Sequence, residues 1–288
     1  MDALTRGKDA DTRREQERNE RFVRASELLA HEDAAVCMAG VYALERLAGE
    51  DGAGYADTVV EVLAGFVRER TNRKDYSPRP QEGSEKWERP TEPIQAAVTA
   101  LNKICKKQSK DFNIVIRVDL RRAQLARLEA NDFFMEGWKL ANTNLQHAEL
   151  NRSNLQKTWL SGANLRNANF NNANTRRAWF DRTNLQHTNL SEANLQSAYM
   201  GNIENWNMKQ FKQAIWPIGM PPILPGDLSA NQFDKTMYTD DKSLKQLHPE
   251  LLDIKGEYKG IPYAFRERIN EALAERRKMK PKNPAKDK

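Results

Sequence analysis

From Phe22 to Ile104 the apolar residues recur at spacings of three and four, as in a helix that buries one side. Phe22, Val23, Leu28 and Leu29 form a first stripe behind a charged run. Asp33 stands at an N-cap position ahead of Val36, Cys37, Gly40, Val41, Leu44 and Leu47. Gly49, Gly52 and Gly54 break that segment, and Asp57 or Thr58 opens the next, with Val59, Val62, Leu63, Phe66 and Val67. The polar, proline-bearing stretch 71–89 reads as a loop. Thr91 caps a fourth helix with Pro93 in its first turn and Ile94, Ala97, Val98, Leu101 and Ile104 on one face. The expectation is two helical hairpins stacked like a short α-solenoid fragment.

At Ile114 the helical period stops and a period of five begins. Large residues recur without insertion from Leu120 through Leu125, Leu140, Leu160, Leu165 and Phe180 to Met200, seventeen units in all. Two positions before each centre stands a small residue for most of the run, as at Ala148, Ser153, Thr158, Ala163, Ala168 and Ala173. The residue between them is usually Asn, as at Asn164, Asn169 and Asn184. Side chains alternate in extended chain, so the large and the small residue both point inward and fill a narrow core. Asn tolerates turns and bonds nearby backbone, which suits a chain that bends at every unit. The early units hold Leu128, Phe133 and Trp138 at the small position. Those groups exceed the narrow interior, so the first coil is either distorted or packed against the helices.

This A-(D/N)-L-x-x pattern over residues 118–200 resembles the pentapeptide-repeat family. The resemblance implies a mainly β solenoid, a right-handed quadrilateral parallel β-helix with four units per coil, here with an N-terminal α-helical domain. The strings from Gly40 to Ala48, Glu61 to Arg68 and Ile94 to Val98 resemble a helical segment that precedes such repeats in some bacterial proteins. Many of those relatives carry membrane helices, but this chain has no 18-residue apolar run, and membrane insertion is not carried over. The expected division is a helical domain at 1–112, the β-helix at 113–205, and a C-terminal cap segment with a basic, disordered tail at 206–288. At the usual strand spacing the coils make a rod roughly 20 Å long, and both of its ends need covering.

Folding the repeat into columns of twenty sorts the outward positions. Three columns are mainly Asn, whereas the fourth reads Lys139, Trp159, Trp179, Tyr199. These aromatics are expected outside, one per coil, as an apolar stripe that needs a cover. The cover is either the chain's own Trp206, Phe211, Ile215, Trp216 and Pro217 or another chain, since Trp and Tyr anchor interfaces. Lys157, Arg176 and Arg177 form a second outward group, a candidate basic patch or plain solubilising charge.

Charge narrows the function. Val118 to Met200 carries ten basic and seven acidic residues and stands at +3. From Arg266 to Lys288, nine Lys or Arg face four acids, so that tail contributes +5 of the chain's +6. Such a tail offers nucleic acid a contact whose affinity falls with salt. Cys37 and Cys105 lie in apolar helical patterns and read as buried thiols of a reducing, cytoplasmic compartment. His147 and His187 share a column two coils apart, too far for one metal ion. No catalytic residues, cofactor-binding residues or metal ligands stand out, and no cofactor is expected. The reading is a non-enzymatic protein-interaction scaffold, whose partner is another protein or a second copy. The alternatives are a DNA-mimicking resistance factor that binds a topoisomerase such as DNA gyrase, a role known for some members of the family, and nucleic-acid binding through the basic tail. A DNA mimic needs an acidic rod, and +3 has the wrong sign.

Overall fold

The structure is a computed structural model that describes residues 2–50, 55–74, 76, 89–207, 210–211, 214, 216–217 and 238–239. It opens with four helices: α1 Asp2–Leu29, α2 Ala34–Glu50, α3 Ala56–Asn72 and α4 Glu92–Phe112. None of the described helices is long and apolar enough to cross a membrane. Asp33 caps α2 as expected, its Oδ1 accepting the N–H groups of Ala35 and Val36. Thr91 occupies the N-cap of α4 but makes no side-chain cap bond, and its carbonyl accepts from Ile94 and Gln95 instead. Helix α2 packs against the other three, and α3 against α4. Gly40 permits the closest approach, because a Cβ there would stand 2.8 Å from the Ala25 carbonyl oxygen and 2.9 Å from Leu28 Cβ. Two further short strands, β1 Trp216–Pro217 and β2 Tyr238–Thr239, pair in parallel.

Asn113 ends α4 in a left-handed conformation, and Ile114 N–H closes back on Gln108 O. The chain then enters the coils. Parallel bridges join each middle residue to the one twenty positions on, from Asp119↔Lys139 to Asn184↔Glu204. The repeat is therefore a β-helix with four five-residue units per coil. Most centre carbonyls accept the N–H three residues on, as at Leu165 and Ala168 (2.9 Å), but at Ala130 the Phe133 N–H donates instead to Ser153 Oγ (3.2 Å). The second residue after the centre has positive φ almost throughout, for example Asn167 at 57° and His187 at 56°. That combination is a type II turn, and it recurs at most corners.

The middle Asn residues thus do not make the bend. They lie in the bridges, and their Oδ1 accepts the N–H two residues on, as in Asn164 to Arg166, Asn184 to Gln186 and Asn189 to Ser191. The ladder and the corner turn already satisfy the other four N–H groups of a unit, and the Asn takes the fifth. Inside, the Leu centres and Ala positions are fully buried. Hydroxyls at small positions donate to a centre carbonyl one coil back, as Thr183 does to Leu160 O (3.0 Å) and Thr188 to Leu165 O (2.8 Å).

The first coil and the start of the second keep the same register, so Leu128, Phe133 and Trp138 do not distort the ladder. Leu128 and Trp138 are fully buried, and Phe133 packs against the same core. Helical side chains cover the open edge of the first coil. Gln95 on α4 donates to Glu129 O (2.8 Å) and accepts from Glu129 N (3.1 Å), as a neighbouring strand would. Asn102 Oδ1 accepts Phe134 N–H at 2.7 Å, and Arg68 on α3 donates to Asp119 O. Burial pushes the Cys105 thiol up to about 12, partly offset by the adjacent Trp138 side chain. At the other end Gln210 Nε2 donates to Leu185 O (2.6 Å) and Thr188 O (2.9 Å). Phe211 is fully buried, with its ring 5.7 Å from that of Trp206.

Candidate interaction face

Bridges run Lys139↔Trp159, Trp159↔Trp179 and Trp179↔Tyr199, so the four side chains rise in one column, one per coil. The Trp179 and Tyr199 rings stand 5.2 Å apart at 42°. Tyr199 lies over Gly201, where a Cβ would come 2.5 Å from the phenol oxygen, so a larger residue there would require the ring to shift. Lys139 and Trp159 are half-buried, whereas Trp179 and Tyr199 are each only 8% exposed.

This column lacks the device found on the others. Where Asn stands in the middle, its Oδ1 holds the N–H two residues on. A lysine or aromatic side chain offers no acceptor, so the N–H groups of Ala141, Ser161, Asp181 and Gly201 lose that local bond. The aromatics therefore occupy positions where Asn would serve the rod's own backbone better.

Burial marks the same edge. Asn174, Arg176, Trp179, Asp181, Asn194 and Tyr199 all sit at outward or corner positions, yet all are buried. Their counterparts Asn164, Asn169, Asn184 and Asn189 are half-buried or exposed. Asp181, which the sequence reading did not single out, is 5% exposed and accepts from Asn202 Nδ2 at 2.6 Å. Of the expected covering residues, Trp206 and Phe211 pack with the end of the core, while Ile215 and the side chains of Trp216 and Pro217 lie outside the described residues.

The basic group is not one cluster of open charge. Lys157 and Arg177 share a corner column, but Lys157 is paired with Glu136 at 2.7 Å. Arg176 is 5% exposed, and burial followed by the Arg177 charge pulls its guanidinium below the ordinary value. His147 and His187 occupy left-handed corner positions, with Asn167 Nδ2 3.4 Å from His147 Nε2. No group of three or more His, Cys, Asp or Glu among the described residues is arranged to hold a metal ion. The tail from Arg266 to Lys288 lies outside the described residues.

The family model described as Pentapeptide repeats matches residues 159–196 in eight copies. The match omits the first two coils, which include the bulky Leu128, Phe133 and Trp138. Among solved structures, the chain is similar to QnrB1, described as a plasmid-mediated fluoroquinolone resistance protein. That likeness has 11% identity, 49% of this chain, 81% of that one and a TM-score of 0.31. It is also similar to a pentapeptide repeat protein from the Arabidopsis thaliana thylakoid lumen, with 24% identity over 40% of this chain and 71% of that one, at a TM-score of 0.20. A third is the pentapeptide repeat protein Rfr23 of the cyanobacterium Cyanothece 51142, with 26% identity, 43% and 61% coverage and a TM-score of 0.17. No curated protein matches the chain.

Proposed function

We propose that this pentapeptide-repeat chain is a non-enzymatic protein-interaction scaffold, with its rod wound as a right-handed quadrilateral β-helix. In this reading residues 1–112 form a helical module, 113–205 the rod, and 206–288 the C-terminal segment. The binding face is the column Lys139, Trp159, Trp179 and Tyr199. Its occupant is a protein, whether another chain or a second copy.

The observation that supports this is the exchange of Asn for aromatics on one column of four. Trp and Tyr are the side chains that most often anchor interfaces. Trp179 and Tyr199 are already buried within the chain, so Trp159 is the aromatic of the column left half-open for a partner to cover. The three Asn-rich columns show the alternative that the same backbone accepts. The charge of +3 between Val118 and Met200 weighs against DNA mimicry.

Trp159→Asn tests this directly, because it restores the residue that the other columns use. The variant should keep its melting temperature, since the new amide takes the Ser161 N–H that tryptophan leaves without a local acceptor. Capture of the native partner by the immobilised full chain should be lost. If melting falls steeply while capture is unchanged, the tryptophan serves the rod and the interaction reading is wrong.

A further inference from the structure

The segment that joins α4 to the first coil differs from the rest of the described surface. Phe112, Ile114 and Val115 are 45%, 37% and 43% exposed, three of the five large apolar side chains exposed among the described residues. The other two, Val23 and Tyr42, lie singly on α1 and α2.

Residues 113–117 join no ladder. Ile114 N–H is committed to the helix stop, the Ile116 carbonyl faces Cys105 Sγ at 3.9 Å, and Val118 O accepts from Lys139. Ile116 and Val118 are buried, so Val115 and Arg117 face outward by strand alternation. The backbone N–H and C=O groups of Val115 and Arg117 have no partner among the described residues.

The charge around this segment is mainly basic. Between Lys103 and Arg117 the only acid is Asp111. Lys103 is held by Glu45 and Lys107 by Gly49 O. Lys106 and Lys110, one turn apart on α4, and Arg117 are exposed, and none is in an ion pair among the described residues. The Lys106 charge reaches Asp132 on a corner of the first coil. Val115 Cγ1 lies 3.8 Å from the Cβ position of Gly137, at the next corner.

We propose that this junction docks an extended acidic segment of a partner protein, added as a strand along residues 113–117. The backbone groups of Val115 and Arg117 supply the main-chain bonds of strand addition. Phe112, Ile114 and Val115 pack the incoming apolar side chains. Lys106, Lys110 and Arg117 select carboxylates and speed their approach. The docking residues are distinct from Lys139, Trp159, Trp179 and Tyr199, although Val118 at the end of the segment pairs with Lys139, and the two readings are tested by different variants.

The test titrates the full chain against a fluorescein-labelled peptide, Glu-Val-Asp-Val-Glu-Val-Asp, and against its counterpart with lysine at every acid, by fluorescence anisotropy. The acidic peptide should bind and the basic one should not. Lys106→Glu with Lys110→Glu should weaken binding by on the order of tenfold or more, with the melting curve unchanged. Val115→Pro, which removes one N–H, should weaken it in low and high salt alike. Equal binding of both peptides, or an affinity unchanged in the double lysine variant, overturns the proposal. So does self-association of the full chain that disappears on Val115→Glu, which would assign the patch to a second copy.

Discussion

Trp138→Ala should destabilise the protein by about 3–5 kcal/mol, the range for a buried aromatic truncated to alanine. The expectation runs against the repeat pattern, which puts a small residue at this position, as at Ala163 and Ala178. By pattern alone the substitution would regularise the start of the second coil, where Trp138 stacks on Val118. In the structure Trp138 is fully buried beside Cys105 of α4. The surrounding backbone is fixed, since Trp138 O accepts from Trp159 N at 2.9 Å and the Lys139 N–H is held by Val118 O at 2.8 Å. The walls therefore cannot close on the vacancy. Urea unfolding followed by circular dichroism measures the effect. A stabilised variant, or one within about 0.5 kcal/mol of the parent, would mean that the coil at Trp138 closes on alanine like the later ones and that the helices do not share its core.

Leu165→Ala should cost about 2–5 kcal/mol, the span for a buried leucine. Leu165 lies at a centre position between Leu145 and Leu185 of the neighbouring coils, and all three are fully buried. Its own N–H is bound to Asn184 O at 2.9 Å, and its carbonyl accepts from both Ala168 N and the Thr188 hydroxyl. Collapse around the cavity would break that ladder, which favours the upper part of the range. The half-buried Gln186→Ala is the control and should stay within about 0.5 kcal/mol. The same urea titration reads both. A small effect at Leu165 would mean that the position is not interior.

The five-residue period was legible because it requires only an alternation of large and small inward residues, which leaves the pattern of Leu120 to Met200 in the sequence. The Asn between them pointed to turns, but its work is one step removed: it caps an amide while the residue three places on takes positive φ. Residue type hid this, because the left-handed corners hold Arg152, Lys157, Arg177 and Glu192 as readily as Asn167. The helix stop at Asn113 was visible only as a change of period. The first coil's bulky residues signalled an irregularity without giving its resolution, since Arg68, Gln95 and Asn102, which cover that coil, come from helices far upstream. Lys157 and its partner Glu136 sit twenty-one residues apart, a relation that column arithmetic could have found. The burial of Arg176 and Asp181 has no such local signature.

Only a twenty-residue coil stacks Trp159 on Trp179 and Leu165 between Leu145 and Leu185, and engineered cysteine pairs measure that period. Asn169 and Asn189 are bridged one coil apart on a half-buried to exposed face. Their Cα atoms are about 4.8 Å apart at the usual strand spacing, within the range a disulfide spans. The native Cys37 and Cys105 are buried and free, so they do not compete. Under mild oxidation of the folded protein, Asn169→Cys with Asn189→Cys should cross-link within one chain. Asn169→Cys paired with Asn184→Cys or with Asn194→Cys should stay reduced. A cross-link in either of those two pairs, with none between positions 169 and 189, would contradict the coil and the aromatic column built on it.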